Sequence, residues 1–210
     1  MAHRRKPLAT ALALNTVVLG AELATGVGTG SLSLVVDSVH NLSDETALAL
    51  LLLAYTLRKG LSGRLLQSAN FFNSLGLIAI SVVLVWESVT RLSTPVAVAG
   101  MGPVLAGLAG VLGNWGVTRA LREASREDAA IHLAYVHNLG DILLSLAPVV
   151  AGALILATGR SVFDSIVAIL IAAAIVATTV RELAVSGAEL AWPANVVCGH
   201  GETPSSAASL

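Results

Sequence analysis

Four residues of this chain have the types and spacing to hold a metal ion: His40 with Asp44, and His137 with Asp141. Each couple is four positions apart, which on an α-helix is about 40° of rotation and about 6 Å of rise. Both side chains therefore leave one face from adjacent turns and reach the same point beside the helix. The couples sit in a repeated hexapeptide: Val39-His40-Asn41-Leu42-Ser43-Asp44 recurs as Val136-His137-Asn138-Leu139-Gly140-Asp141, five of six positions identical. Brought together, two imidazoles and two carboxylates form a closed tetrahedral set of N and O donors. Such a set suits Zn2+ and does not exclude cadmium, cobalt or manganese. The plainer alternative is two His/Asp hydrogen bonds that only hold helices together.

The elements that must position these couples are membrane spans. The 210 residues are 55% hydrophobic and 12% charged, with a mean hydropathy of +0.82, too apolar for a domain surrounded by water. A spanning helix needs roughly 20 mostly apolar residues. Windows of that kind occur at 8–29, 32–57, 67–89, 102–120, 129–158 and 162–180. The runs are continuous and do not alternate with period two, and backbone groups in hydrocarbon must bond internally, so helices are expected and a barrel is not. The expected fold is an all-α integral membrane protein with six transmembrane helices over residues 1–192 and a disordered cytoplasmic tail over 193–210. Carboxylates at mid-membrane are costly unless they face a partner or water, which argues that Asp44 and Asp141 are there for a reason.

Basic residues orient the spans, because cytoplasmic flanks retain Lys and Arg. With the N-terminus inside, Arg4, Arg5, Lys6, Arg58, Lys59, Arg64, Arg119, Arg122, Arg126 and Arg181 are cytoplasmic, and Arg91 and Arg160 are left outside. Both termini are then cytoplasmic. Spans 2 and 5 run in opposite senses with the hexapeptides at similar depth, which makes a 3+3 inverted repeat the natural hypothesis. The first two dozen residues have the basic head and apolar run of a secretory signal. Asn15 and Glu22, seven positions apart on one face, suit a retained span better. The net charge of -1 offers no basic face for nucleic acid.

Other marks have narrower readings. Asp37 lies seven residues before Asp44 on nearly the same face, about 10 Å further out, and is assigned to an outer access path for cations or to a packing hydrogen bond. Asn15 and Glu22 are expected to face the same cavity from span 1. Glu45 points about 100° from Asp44 and has no assigned role. His132 reads as interfacial, and His3 and His200 as solvated. Cys198 rules out an internal disulfide framework. Ala106-xxx-Gly110 and Ala109-xxx-Gly113 permit close helix approach. Pro148 removes a backbone hydrogen bond and is expected to kink span 5 just beyond its motif. Ser161-x-x-Asp164 has the form of a capping box at the start of span 6, which accounts for Asp164 without function.

An ion-bound set of two ionised Asp, two neutral His and Zn2+ is formally uncharged. Without the ion it carries two negative charges in a low dielectric, so protons compete for it and antiport follows. A rival from another class is an intramembrane zinc enzyme, with three ligands and a metal-bound water. No helical His-Glu-x-x-His is present, and no enzymatic activity or resident cofactor is expected.

The run Gly30-Ser31-Leu32-Ser33-Leu34-Val35-Val36-Asp37-Ser38-Val39-His40-Asn41-Leu42-Ser43-Asp44 resembles the second helix of the cation diffusion facilitators, in particular their zinc-transporting branch. His137-Asn138-Leu139-Gly140-Asp141 is similar to their fifth-helix motif, and Trp86-Glu87-Ser88-Val89-Thr90-Arg91-Leu92 and Asp164 also match. The resemblance covers about residues 8–185. It implies a metal site of His40, Asp44, His137 and Asp141, Zn2+ as cargo exported in exchange for protons by alternating access, a location in the cell (inner) membrane and a homodimer as the assembly to look for. Members usually append a cytoplasmic metal-binding domain of ferredoxin-like fold, and many carry a His-rich loop between helices 4 and 5. Residues 121–128 here read Leu-Arg-Glu-Ala-Ser-Arg-Glu-Asp, and the expectation is a variant without that domain.

Overall fold

The computed structural model describes residues 2–57 and 63–186, and its elements are α1 (Ala2–Thr29), α2 (Leu32–Thr56), α3 (Gly63–Ser93), α4 (Met101–Leu121), a 3-10 turn (Ala124–Arg126), α5 (Ala129–Leu144), α6 (Leu146–Thr158) and α7 (Val162–Ser186). Among the described residues there is no strand. The cytoplasmic assignments of Arg58 and Lys59 and the tail with Cys198 and His200 lie outside the described residues, as does the His3 side chain.

Among the described residues, five stretches are long and apolar enough to cross a membrane: Arg4–Thr29, Phe71–Ser93, Met101–Leu121, Ala130–Thr158 and Val162–Arg181. The remaining long helix, α2, has 25 residues and the length to span, but Asp37, Asp44 and Glu45 dilute its hydropathy. Its acids are turned inward, with Asp37 and Asp44 at 1% and 6% exposure. The chain is a multi-pass integral membrane protein, and its surface fits lipid: Val82, Val83, Trp86, Leu105 and Leu112 are exposed while Asn15, Asn41, Asn114 and Ser145 are buried.

A tight turn joins α1 to α2. After α1, Gly30 takes φ 73°, the left-handed conformation that ends a helix at little cost only for glycine. Ser31 then caps α2 by accepting from Leu34 N. Asp128 caps α5 through Ala130 N and Ile131 N, and its second oxygen accepts from Arg4 at 2.7 Å and from the Tyr55 hydroxyl. Arg5 covers the last carbonyls of α2, at Tyr55 and Thr56. These contacts tie α1, α2 and α5 together at the end where the sequence places the cytoplasm. Beneath them lies an apolar cluster of Leu8, Leu51, Val117, Leu121 and Ile131. A second cluster joins α2, α3 and α7 through Leu32, Val36, Leu77, Ile171 and Ile175.

The fifth span is interrupted as expected, and it divides into two helices, α5 and α6. The break falls at Ser145, three residues before Pro148. A proline there cannot donate to the Leu144 carbonyl and its ring crowds the preceding turn, so the ladder restarts.

The small residues of α4 do what their spacing suggests. A Cβ on Gly113 would run into the Val18 side chain of α1, and one on Gly110 into the Glu22 carboxyl. Gly113→Leu is expected to cost about 1–3 kcal/mol through overpacking, read as a lower unfolding midpoint in detergent. A midpoint equal to wild type would mean that α1 and α4 are not in close contact.

The reading of Ser161 and Asp164 as a local capping box is corrected by the structure. Ser161 Oγ accepts from Val98 N in the preceding loop. The Asp164 carboxylate crosses to α2, accepting from Ser31 Oγ (2.7 Å), Leu32 N (2.6 Å), Ser33 Oγ (2.6 Å) and Ser33 N (3.3 Å). It stands at the N-termini of two helices at once, where both dipoles favour negative charge. Glu45, left without a role by the sequence, accepts from Asn15 Nδ2 at 2.9 Å and from the Thr16 hydroxyl, joining α2 to α1.

Candidate metal centre

The two hexapeptides meet across the gap between α2 and α5. Each histidine pairs with the aspartate of the other helix: His40 Nε2 lies 3.0 Å from Asp141 Oδ1, and His137 Nε2 lies 2.9 Å from Asp44 Oδ1. Within each helix the approaches are longer, 3.7 Å from His40 Nε2 to Asp44 Oδ2 and 3.9 Å from His137 Nε2 to Asp141 Oδ2. The rings are 5.6 Å apart and tilted by 52°. One donor atom from each residue can be chosen so that all four lie within 4.8 Å of one another. A tetrahedron with metal bonds of about 2.0–2.1 Å has edges of about 3.4 Å, so the four donors stand somewhat wider apart than bound zinc requires. Small rotations of the side chains would close the remainder.

Local structure explains the convergence. His and Asp at i and i+4 share a face, α2 is set by the Asp164 and Ser31 cap, and α5 by Asp128. The crossed pairing follows from the antiparallel course of the helices, which brings the first residue of one motif level with the last of the other. Each Nε2 faces a carboxylate, so Nε2 carries the hydrogen in this arrangement, and the same nitrogen is the atom a metal would take.

Burial is uneven in a useful way. The side chains of His40, Asp44 and Asp141 are 10%, 7% and 7% exposed, and that of His137 is 42% exposed. His137 faces a cavity of about 330 Å³ whose polar wall includes Ser43, Asn73, Asn138, Thr178 and Thr179. The cavity continues past Ala47 and Leu51 on α2 and Ala130 on α5, toward the ends of α2 and α7 and the starts of α3 and α5. This is the side that the basic residues assign to the cytoplasm. On the opposite side of the quartet Leu34, Val36, Asp37 and Ser38 of α2 are buried.

Asp37 lies on that side. It is 1% exposed and is not part of the cavity wall, so the access role expected of it has no open path in this conformation. Asn15 and Glu22 do not face the cavity either. Asn15 donates to the Asn41 carbonyl and to Glu45, and Glu22 accepts from Asn41 Nδ2 at 2.6 Å. His132 is exposed and stacks on Tyr135. The sequence reading passed over Asn73, which donates to Ser43 Oγ at 2.8 Å and joins α3 to the cavity wall. Its signal was an amide within a predicted membrane span.

The fold is a helical bundle with apolar sides turned to lipid, and it brings together four residues of metal-ligating types, three of them buried, beside a cavity. The chain belongs to the cation efflux family: residues 8–191 match its cation efflux transmembrane domain. Among curated proteins it is similar to the zinc transporter ZitB of Pectobacterium atrosepticum, 34% identical over 79% of this chain and 55% of that protein. The zinc transporter ZitB of Escherichia coli is 33% identical over 80% of this chain and 57% of its own length. The metal cation efflux system protein CzcD of Cupriavidus metallidurans is 32% identical over 79% and 55%. The chain thus spans a little over half the length of these relatives.

Proposed function

We propose that this chain moves a divalent cation, zinc first, out of the cytoplasm and across the inner membrane through His40, Asp44, His137 and Asp141, in exchange for protons. The observation that carries the reading is the quartet at the floor of a one-sided cavity, with its donor atoms within 4.8 Å of one another. The names of the relatives, two zinc transporters and a metal cation efflux protein, support the same substrate class. Two imidazoles in a four-donor set favour zinc over manganese, which prefers more oxygen ligands in an octahedron.

The geometry supports a sequence of events. A hydrated ion enters between Ser43, Asn73 and Asn138 and meets His137, the exposed ligand, first. It then exchanges its waters for Asp44, Asp141 and His40. The metal and the hydrogens on Nε2 are exclusive occupants of the same atoms, so loading from one side displaces protons and unloading on the other side takes them up. With both termini cytoplasmic, the cavity loads from the cytoplasm. Assembly as a homodimer belongs to the same proposal and follows the family.

The test is zinc flux in proteoliposomes of the purified chain under an imposed pH gradient, with cadmium, cobalt and manganese run alongside. Zinc flux is expected to rise severalfold when the gradient drives protons against it, and to exceed manganese flux. A flux indifferent to the gradient would remove the coupling to protons, and no flux of any of the four metals would remove the transport reading.

A further inference from the structure

Beyond the quartet, the bundle buries a second acidic couple. Glu22 on α1 and Asp37 on α2 are 0% and 1% exposed, and their carboxyls face each other at hydrogen-bond reach. Asn41 Nδ2 donates to Glu22 Oε2. Glu22 Oε1 and both Asp37 oxygens have no hydrogen-bond donor of normal geometry. Glu22 Oε1 is seated against Gly110 of α4, the one residue type that leaves it room. Ser145 stands beside Asp37, with its Oγ accepting from Asn114 Nδ2. Among the described residues, the arginine ion pairs are Arg4–Asp128 and Arg91–Glu87, both at helix ends, so no guanidinium balances this couple.

Two carboxylates in contact, both out of water and hydrogen-bonded to no basic side chain, do not both stay ionised. An oxygen of one lying against an oxygen of the other, with no donor between them, is the geometry of a hydrogen bond missing its proton. The other titratable groups that act on the couple are His40 and Asp44 from α2 and Asp141 from α5. From α4 come Gly110 and Asn114, which carry no charge. Asp37 makes no hydrogen bond to any member of the quartet.

We propose that Glu22 and Asp37 form a proton site distinct from the metal quartet, holding one proton between them on the side of the quartet away from the cavity. The proposal rests on the transport reading for its purpose and on geometry for its existence. The site is mechanically joined to the quartet at two points. Asp37 and Asn41 flank His40 on α2, and Ser145 lies one turn beyond Asp141, where α5 ends. A rearrangement of α2 against α1 that opens the quartet to the far side must also shift Asp37 relative to Glu22, which is carried by α1. The proton is then exposed on that side while the metal leaves, and the couple contributes to the exchange without touching the metal.

Infrared difference spectroscopy of the zinc-free full chain in lipid tests the site directly. At neutral pH, wild type is expected to show a deuterium-sensitive C=O stretch of a neutral carboxylic acid. That stretch is lost in Glu22→Gln, lost or displaced in Asp37→Asn, and kept in Asp44→Asn. A wild type without the band, or a band unchanged in Glu22→Gln, overturns the proposal. A second readout counts protons moved per zinc in proteoliposomes, expected to fall by about one in Glu22→Gln with zinc binding kept. An unchanged count also overturns it. A wild type that moves no zinc would instead remove the transport reading, and the band alone would then decide the proton site.

Discussion

Asp44→Ala and Asp141→Ala are each expected to abolish the gain in thermal stability that the proposed site lets zinc confer on wild type, and with it zinc uptake into vesicles. A ligand at about a thousandfold its dissociation constant stabilises a folded protein by about 4 kcal/mol, so the wild-type increment is large enough to measure. Loss of an outer-shell partner of a metal ligand typically costs 10–100-fold in affinity, and loss of a ligand itself costs at least about a hundredfold. The zinc-dependent increment is the informative quantity. Each aspartate also accepts a hydrogen bond from the opposite histidine, so both variants lose some stability with no metal present. If the couples were only a link between α2 and α5, the variants would start lower and still respond to zinc as wild type does. That outcome would sink the metal assignment.

Asp164→Ala is expected to produce the largest loss of metal-independent stability. Its carboxylate takes hydrogens from two hydroxyls and two amides at the start of α2, and it is 1% exposed. Hydrogen bonds to a charged acceptor contribute about 1.5–3 kcal/mol each, and an unsatisfied buried donor costs about 1–3 kcal/mol. The hydroxyls can turn to other acceptors and the amides cannot, so a net loss of about 3–5 kcal/mol follows. Asp164→Asn keeps one acceptor and recovers part of that loss. Denaturant-induced unfolding in mixed micelles reads both. An Asp164→Ala protein as stable as wild type would mean that α2 does not depend on this cap.

Much of this was legible in the sequence, for identifiable reasons. Five spans are plain from hydropathy, and the sixth, α2, was recoverable because three acids still leave a long apolar run. The quartet was legible because helical spacing places His and Asp four apart on one face and the motif occurs twice. The break near Pro148 was legible because proline acts locally. The partners of single polar residues were not. Asp164 looks like its own helix's cap, and its donors lie more than 130 residues earlier in the chain. Glu45 was dismissed for pointing away from Asp44, but that direction is toward Asn15 and Thr16 of α1. Glu22 was expected to face the cavity and Asp37 to line an outer access path or make a packing hydrogen bond, and in the structure both are buried. Periodicity tells which face a residue occupies, and only tertiary packing tells what that face meets.

Under the proposed transport, the break at Ser145 has a consequence for how the ion would leave. It turns α5 into a lever of 16 residues, pivoted at its far end. Asp141 is four residues from the pivot and His137 eight, radii of about 6 Å and about 12 Å. A swing of about 10° carries the first through about 1 Å and the second through about 2 Å. His137 would therefore disengage while Asp141 still grips, so that the grasp on the ion is undone finger by finger.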